Sequence, residues 1–171
     1  MNMNPIILLA ALMLLSISTL AQNQSIYTST KPKDCRTIGS SQEEGGWYEG
    51  ECKGVGGYKV HLSEGDISQT LDIITPAKKK FELNFWSFYG GFSTVGARIE
   101  WRTKGGIPVA LIARFNVAAS DDSSKNTSYL MVSKIGKTVS CVTDIVPPGA
   151  SQNEKARVLA DAASDKPCKK P

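Results

Sequence analysis

The residues able to do chemistry in this chain are few, and their spacing decides little alone. A single histidine, His61, would have to serve as the base for any serine nucleophile, and it sits on the outward side of an alternating strand pattern. Ser93 lies in the run Gly91, Phe92, Ser93, Thr94, Val95, Gly96, which misses a nucleophile elbow because the last glycine comes one position late. It reads as a turn residue. Glu43, Glu44, Glu49, Glu51, Glu64 and Asp66 could supply the paired carboxylates of a glycoside hydrolase, which must face each other at ~5 to 9.5 Å. Four of them flank glycine turns, where exposed carboxylates occur for backbone reasons. Asp121, Asp122, Ser123, Ser124 and Asn126 offer oxygens to calcium but lack the spacing, central glycine and terminal glutamate of an EF-hand, so a polar loop is expected. Gly54 to Gly57 lacks the strand-to-helix setting of a phosphate loop and reads as a flexible turn. Asn23 to Ser25 and Asn126 to Ser128 spell glycosylation sequons.

No cofactor motif is present, and the cysteines do not suit a metal. Cys35, Cys52, Cys141 and Cys168 contain no C-x-x-C pair, and His61 is remote from them, so zinc is not expected. An even number of cysteines points to disulfides in an oxidising compartment. Of the three possible connectivities, Cys35 with Cys52 and Cys141 with Cys168 closes the shortest loops. Export is also read from the amino terminus. The apolar run Ile6 to Ile17 is shorter than the ~20 residues of a spanning helix, and Thr19, Leu20 and Ala21 form a small-x-small cleavage pattern. Residues 1–21 are therefore expected to be a signal peptide, although no Lys or Arg precedes the apolar run, and 22–171 a single domain. No cysteine near the cleavage point could accept a lipid, so no membrane anchor is expected after cleavage. The location implied is periplasmic or secreted.

A hydrophobic share of 41% with 21% charged residues suits one globular core. The formal charge of +4 is carried by dispersed lysines and arginines without an arginine-rich stripe, which argues against a nucleic-acid surface.

The elements that must position these groups are mostly strands. Residues 22–34 are polar and read as a loose leader. Tyr58, Val60 and Leu62 alternate with Lys59, His61 and Ser63, and Ile67 to Ile73 returns after the Glu64, Gly65, Asp66 turn. Phe81 to Phe88, Arg98 to Arg102 and Val109 to Val117 follow as strands, the last apolar on both faces and so central in its sheet. Ser128 to Ile135 and Thr138 to Val146 read as a hairpin turning at Gly136 and Lys137. Ser151 and Glu154 form a capping box for a helix bearing Ala156, Val158, Leu159 and Ala162. The fold expected is mainly β, an antiparallel sandwich or small barrel of seven to eight strands with one carboxy-terminal helix.

Aromatic residues are the remaining signal. Trp47, Tyr48, Trp86, Phe88, Tyr89 and Trp101 are too many for the exposed face of a monomer unless some bind a partner; most are expected in the core, and Trp47, Tyr48 and Tyr89, with glycines nearby, are the candidate binding residues.

Three stretches, EEGGWYEGEC from Glu43, GYKVHLSEGD from Gly57 and CVTDIVPPGASQNEKARVLADAA from Cys141, together with the exported start, resemble a group of small secreted or periplasmic bacterial proteins without an assigned activity. The resemblance implies export and transfers no functional residue. Size and disulfide-stapled β character are also similar to periplasmic lysozyme inhibitors, without their inhibitory loop motif. The expected function is a noncatalytic exported module presenting a rigid β surface to a protein or envelope glycan. The alternatives are a carboxylate-dependent hydrolase of an envelope glycan and a structural or stress-related envelope protein.

Overall fold

Period-two alternation becomes ten strands and one α-helix in the computed structural model, which describes residues 23–43, 45–119 and 125–171. In chain order the strands are β1 (Gln24–Ser29), β2 (Cys35–Ser41), β3 (Trp47–Lys53), β4 (Lys59–Glu64) and β5 (Gln69–Ile74). Then come β6 (Lys80–Glu82), β7 (Ser93–Lys104), β8 (Ile107–Ala118), β9 (Asn126–Lys134), β10 (Cys141–Val146) and the helix α1 (Gln152–Asp161). They form two five-stranded antiparallel sheets, β1-β7-β8-β9-β10 and β2-β3-β4-β5-β6, consistent with a sandwich. The expected signal peptide and the acidic loop residues Asp121 to Ser124 lie outside the described residues, as does Glu44.

The double apolar character of Val109 to Val117 has a direct physical cause. Leu111, Ala113 and Phe115 point into the core between the sheets, with Val60, Leu62, Leu71, Ile73, Ile99 and Trp101. Ala110 and Ile112 point the other way, where α1 buries them beneath Ala156 and Ala160. β8 is thus the middle strand of a sheet covered on both faces.

Both disulfides take the local pairing. Cys35 and Cys52 are cross-strand neighbours in β2 and β3, with Cα atoms 4.2 Å apart. Cys141–Cys168 draws the chain after α1 back to β10, where the Lys169 amide donates to the Val142 carbonyl at 2.8 Å. That contact, with the Lys166–Asp144 ion pair at 2.8 Å, covers part of an otherwise open sheet edge.

Four expectations are corrected. The loose leader is not loose: Gln24–Ser29 pairs along its whole length with β7, from Gln24 opposite Thr103 to Ser29 opposite Arg98. It is held by directed polar contacts that hydropathy does not register. The Trp101 indole donates to Thr28 Oγ1 at 2.8 Å, Tyr27 donates to Glu100 at 3.1 Å, and Arg102 donates to Ser25 Oγ and to the Asn23 carbonyl. The expected strand Phe81 to Phe88 ends at Glu82, because Asn84 turns into the left-handed region at φ 50° and starts a short 3-10 turn. Phe85 thereby enters the core edge-on to Phe115, at 5.6 Å between centroids. The capping box does not form: Ser151 has φ 58° and makes no side-chain cap. The helix start is instead anchored by Gln152 Nε2, which donates to the carbonyls of Ser128 and Val146 at 2.9 and 3.1 Å. The β9–β10 connection is wider than a two-residue turn and is tied by the Gly136 amide and Ser140 Oγ at 3.2 Å.

α1 is clamped to the first sheet by two arginines. Arg102 donates to both Asp161 oxygens, at 2.7 and 2.8 Å, and Arg157 Nε donates to Glu100 Oε1 at 2.8 Å. Burial opposes the ionised form of Glu100, but hydrogen bonds from Arg157, Ser25 and Tyr27 hold its carboxyl below the usual range. Asp161 is lowered likewise, with burial opposing and Arg102 and Asn23 prevailing. Both folded values lie under the unfolded ones of ~4.3 and ~3.9, so this contribution is complete above the unfolded values. It disappears as pH falls through the depressed folded values. The urea midpoint is therefore expected to drop on acidification below about pH 4, and to drop less in an Arg157→Gln variant; equal losses in both would separate acid lability from this clamp.

Candidate functional site

At one end of the sandwich the β4–β5 turn of the second sheet meets the start of β7 and the end of β8. Glu64, Gly65 and Asp66 form the turn, as expected, and the Gly65 amide donates to the Ser68 carbonyl at 2.9 Å. The turn is then fastened to the other sheet. The Ser93 amide donates to the Ile67 carbonyl at 2.9 Å, Ser68 and Ser93 form an isolated parallel bridge, and Gln69 Oε1 accepts from the Val95 amide at 2.8 Å. The Ala118 amide donates to the Phe92 carbonyl at 2.9 Å. These bonds leave a cleft of about 450 Å³, within the ~300 to 1,000 Å³ of small-ligand sites.

The two walls differ chemically. The turn contributes both carboxylates, Glu64 and Asp66, while the first sheet contributes Ser93, Thr94, Asn116 and Asn126. No cationic side chain lines the cleft among the described residues. Asn116 Oδ1 already accepts from Ser128 Oγ at 2.8 Å, so its amide hydrogens are the end it can offer. Ser93 is only 5% exposed, yet among the described residues its Oγ makes no hydrogen bond. A buried hydroxyl without a partner is costly unless something else satisfies it. Phe92, by contrast, is 60% exposed at the rim, close in sequence to the exposed Trp86 and Tyr89. Gly90 and Gly91, at φ 65° and 67°, make the bend that presents Phe92.

The aromatic candidates are not gathered on one face. Trp47 is exposed on the outer face of the second sheet, its ring lying where a Cβ on Gly39 would come within 2.7 Å. Tyr48 points to the opposite side, packs against the core and donates to the Pro32 carbonyl at 3.3 Å. Tyr89 is exposed but stacks on Tyr129, at 4.1 Å between centroids. Burial first, and Tyr129 second, push the Tyr89 hydroxyl up to about 12. Trp101 lies wholly in the core.

His61 is on the outer face of its strand, as the alternation indicates, but it is not solvent-facing: it is 7% exposed. Asp72 and Glu49 cover it at 3.3 and 3.6 Å, and the Lys80 ammonium sits 3.4 Å from Nδ1. Its neighbours are thus charged groups rather than a serine, and the pairing a serine nucleophile needs is not made. Glu51 is likewise committed to ion pairs, with Lys59 at 2.6 Å and Arg36 at 3.3 Å. The Gly54 to Gly57 turn packs against Trp101 and serves the core. Among the described residues no group of three or more His, Cys, Asp or Glu could hold a metal ion, and no helix is long and apolar enough to cross a membrane.

In the sequence nothing joins Ser93 to Glu64 and Asp66, because each reads as an ordinary turn residue on its own. The only signal available was their shared position next to glycines at strand ends. Comparison with protein-family models, with curated proteins and with solved structures found no match to the chain, so the site is read from its own chemistry.

Proposed function

We propose that the protein is a noncatalytic binding module, exported to the periplasm or secreted after removal of residues 1–21, and that its end cleft takes an envelope glycan. The two disulfides agree with a non-reducing compartment. The observation that carries the reading is the cleft itself: carboxylates on one wall, hydroxyls and amides on the other, and an exposed phenyl ring at the rim. A polyhydroxylated ligand both donates and accepts, which matches that mixture, and its apolar ring faces suit Phe92. Two carboxylates, with no cation among the described lining residues, disfavour an anionic sugar and favour a neutral or amino sugar.

The hydrolase alternative draws on Glu64 and Asp66 sharing the cleft. Both come from one turn, however, and the wall opposite has no carboxylate among the described residues. Glycoside hydrolysis needs carboxyl groups flanking the bond. Binding without release of reducing ends is therefore the expected outcome with oligosaccharide probes.

The Phe92→Ala variant tests the reading in calorimetric titrations with chitohexaose and its deacetylated form. An exposed ring contributes little to folding, so stability is expected to stay within about 0.5 kcal/mol. Affinity is expected to fall about tenfold, the effect of losing an aromatic anchor of more than 1 kcal/mol. Unchanged affinity would remove the rim from the site.

A further inference from the structure

The outer face of the second sheet carries a different chemistry. α1 packs on the first sheet, so among the described residues no α-helix covers this face. The strand register places Lys53 opposite Lys59, Lys59 opposite Ile74, and Ile74 opposite Lys80, one row across β3 to β6. Lys53 and Lys59 are like charges directly opposite one another, which destabilises a strand pair, and the neighbouring row of Glu51, His61, Asp72 and Glu82 offsets part of that charge through the Lys59–Glu51 and Lys80–Asp72 ion pairs. The next turn adds to the positive charge. Lys78 has a positive φ, 62°, in a turn closed by its amide to the Thr75 carbonyl at 2.8 Å. Beside the row lies a groove of about 560 Å³, with Arg36, Lys59, Lys78 and Lys80 around Ile74 and Pro76.

Glu51 is the one carboxylate among the groove's lining residues, and it is held by Lys59 and Arg36. Lys59, more than the opposing burial, keeps that carboxyl below the usual range, so it stays ionised and fixes the Lys59 ammonium in place. Lys80 makes an ion pair with Asp72 at 2.8 Å. Lys78 has no ion pair among the described residues, and the groove's four cations are met by two carboxylates, Glu51 in its lining and Asp72 beside it. The charge is therefore unbalanced, and two of its lysines are paired before any ligand arrives.

We propose that this groove is a second binding site, for an amphiphile with a phosphate headgroup. The phosphate sits among the ammonium groups of Lys59, Lys78 and Lys80, and the attached apolar group lies over Ile74 and Pro76. Lysines from β4, β6 and the turn between β5 and β6 line one groove, and ammonium groups suit a tetrahedral anion as point charges without a fixed fork. The apolar floor gives no reason for a phosphate to bind alone. This site is separate from the end cleft, whose lining bears carboxylates and, among the described residues, no cation.

Amide NMR titrations of the disulfide-bonded protein test it, with dihexanoyl phosphatidic acid below its micelle concentration, inorganic phosphate and hexanol as probes. Shifts are expected at Lys59 and across residues 74–80 with phosphatidic acid, weakening as salt is raised. Lys78→Gly removes one ammonium at a backbone angle that glycine accepts without strain, so the fold is retained. It is expected to weaken phosphatidic acid binding about fivefold, the effect of one partly exposed charge contact. Inorganic phosphate binding as tightly as phosphatidic acid would overturn the amphiphile. Hexanol binding equally well, or no effect of Lys78→Gly, would overturn the anion site. Sedimentation with phosphatidylglycerol vesicles without any binding of the monomeric lipid would overturn the groove in favour of a membrane surface.

Discussion

Replacing all four cysteines with serine is expected to leave a chain that does not fold at physiological temperature. The bridges close segments 17 and 27 residues apart in sequence. The chain-entropy model assigns each about 3 kcal/mol, against the roughly 5 to 15 kcal/mol by which a domain of this kind is stable. The two losses differ in kind. Cys35–Cys52 reinforces neighbouring strands that already pair, so its removal acts mainly through the unfolded chain. Cys141–Cys168 also holds the segment after α1, including Lys166 and Lys169, against β10. Its removal is expected to uncover the β10 edge as well, giving a variant that aggregates on warming before its partner variant does. Urea unfolding of the two paired-serine variants, followed by circular dichroism, measures both; a fourfold-serine protein with native stability would contradict the account.

The second large effect is expected at Trp101. Its side chain is fully buried, tilts against Tyr58 at 6.5 Å and closes on the Gly54 turn. Its indole hydrogen bond to Thr28 also holds β1 to the sandwich. Trp101→Ala is expected to cost about 3 to 5 kcal/mol, from lost burial and the cavity left behind. Trp101→Phe keeps much of the volume but leaves Thr28 without its donor, and should fall between. Amide exchange distinguishes the parts: protection of Gln24–Ser29 is expected to fall in both variants, more than that of β8. Unchanged protection in β1 would mean that the edge strand is held by the Arg102 network alone.

These two effects rest on features of unequal legibility. The disulfide pairing followed from loop length, and the central position of β8 followed from its two apolar faces, because local spacing and hydropathy determine both. β1 was not legible. Its only large aliphatic is Ile26, and its hold on β7 comes from Arg102, Glu100 and Trp101, more than 70 residues away in sequence. The end of β6 turned on one backbone angle at Asn84, and the helix start on Gln152 reaching back to β9 and β10. The end cleft depends on the β4–β5 turn meeting β7, a tertiary contact between residues that each look ordinary. His61 shows the same limit. Alternation gave its side of the sheet, but its burial comes from Asp72, Glu49 and Lys80 on three other strands.

The most direct measurement on the proposed glycan site is an amide NMR titration of the disulfide-bonded protein with chitohexaose and its deacetylated form. The end cleft predicts shift changes at Gln69, Phe92, Ser93, Thr94 and Asn116, smaller in Phe92→Ala at the same subsaturating ligand concentration. Changes confined to the lysine face of the second sheet, or none with either oligosaccharide, would contradict it.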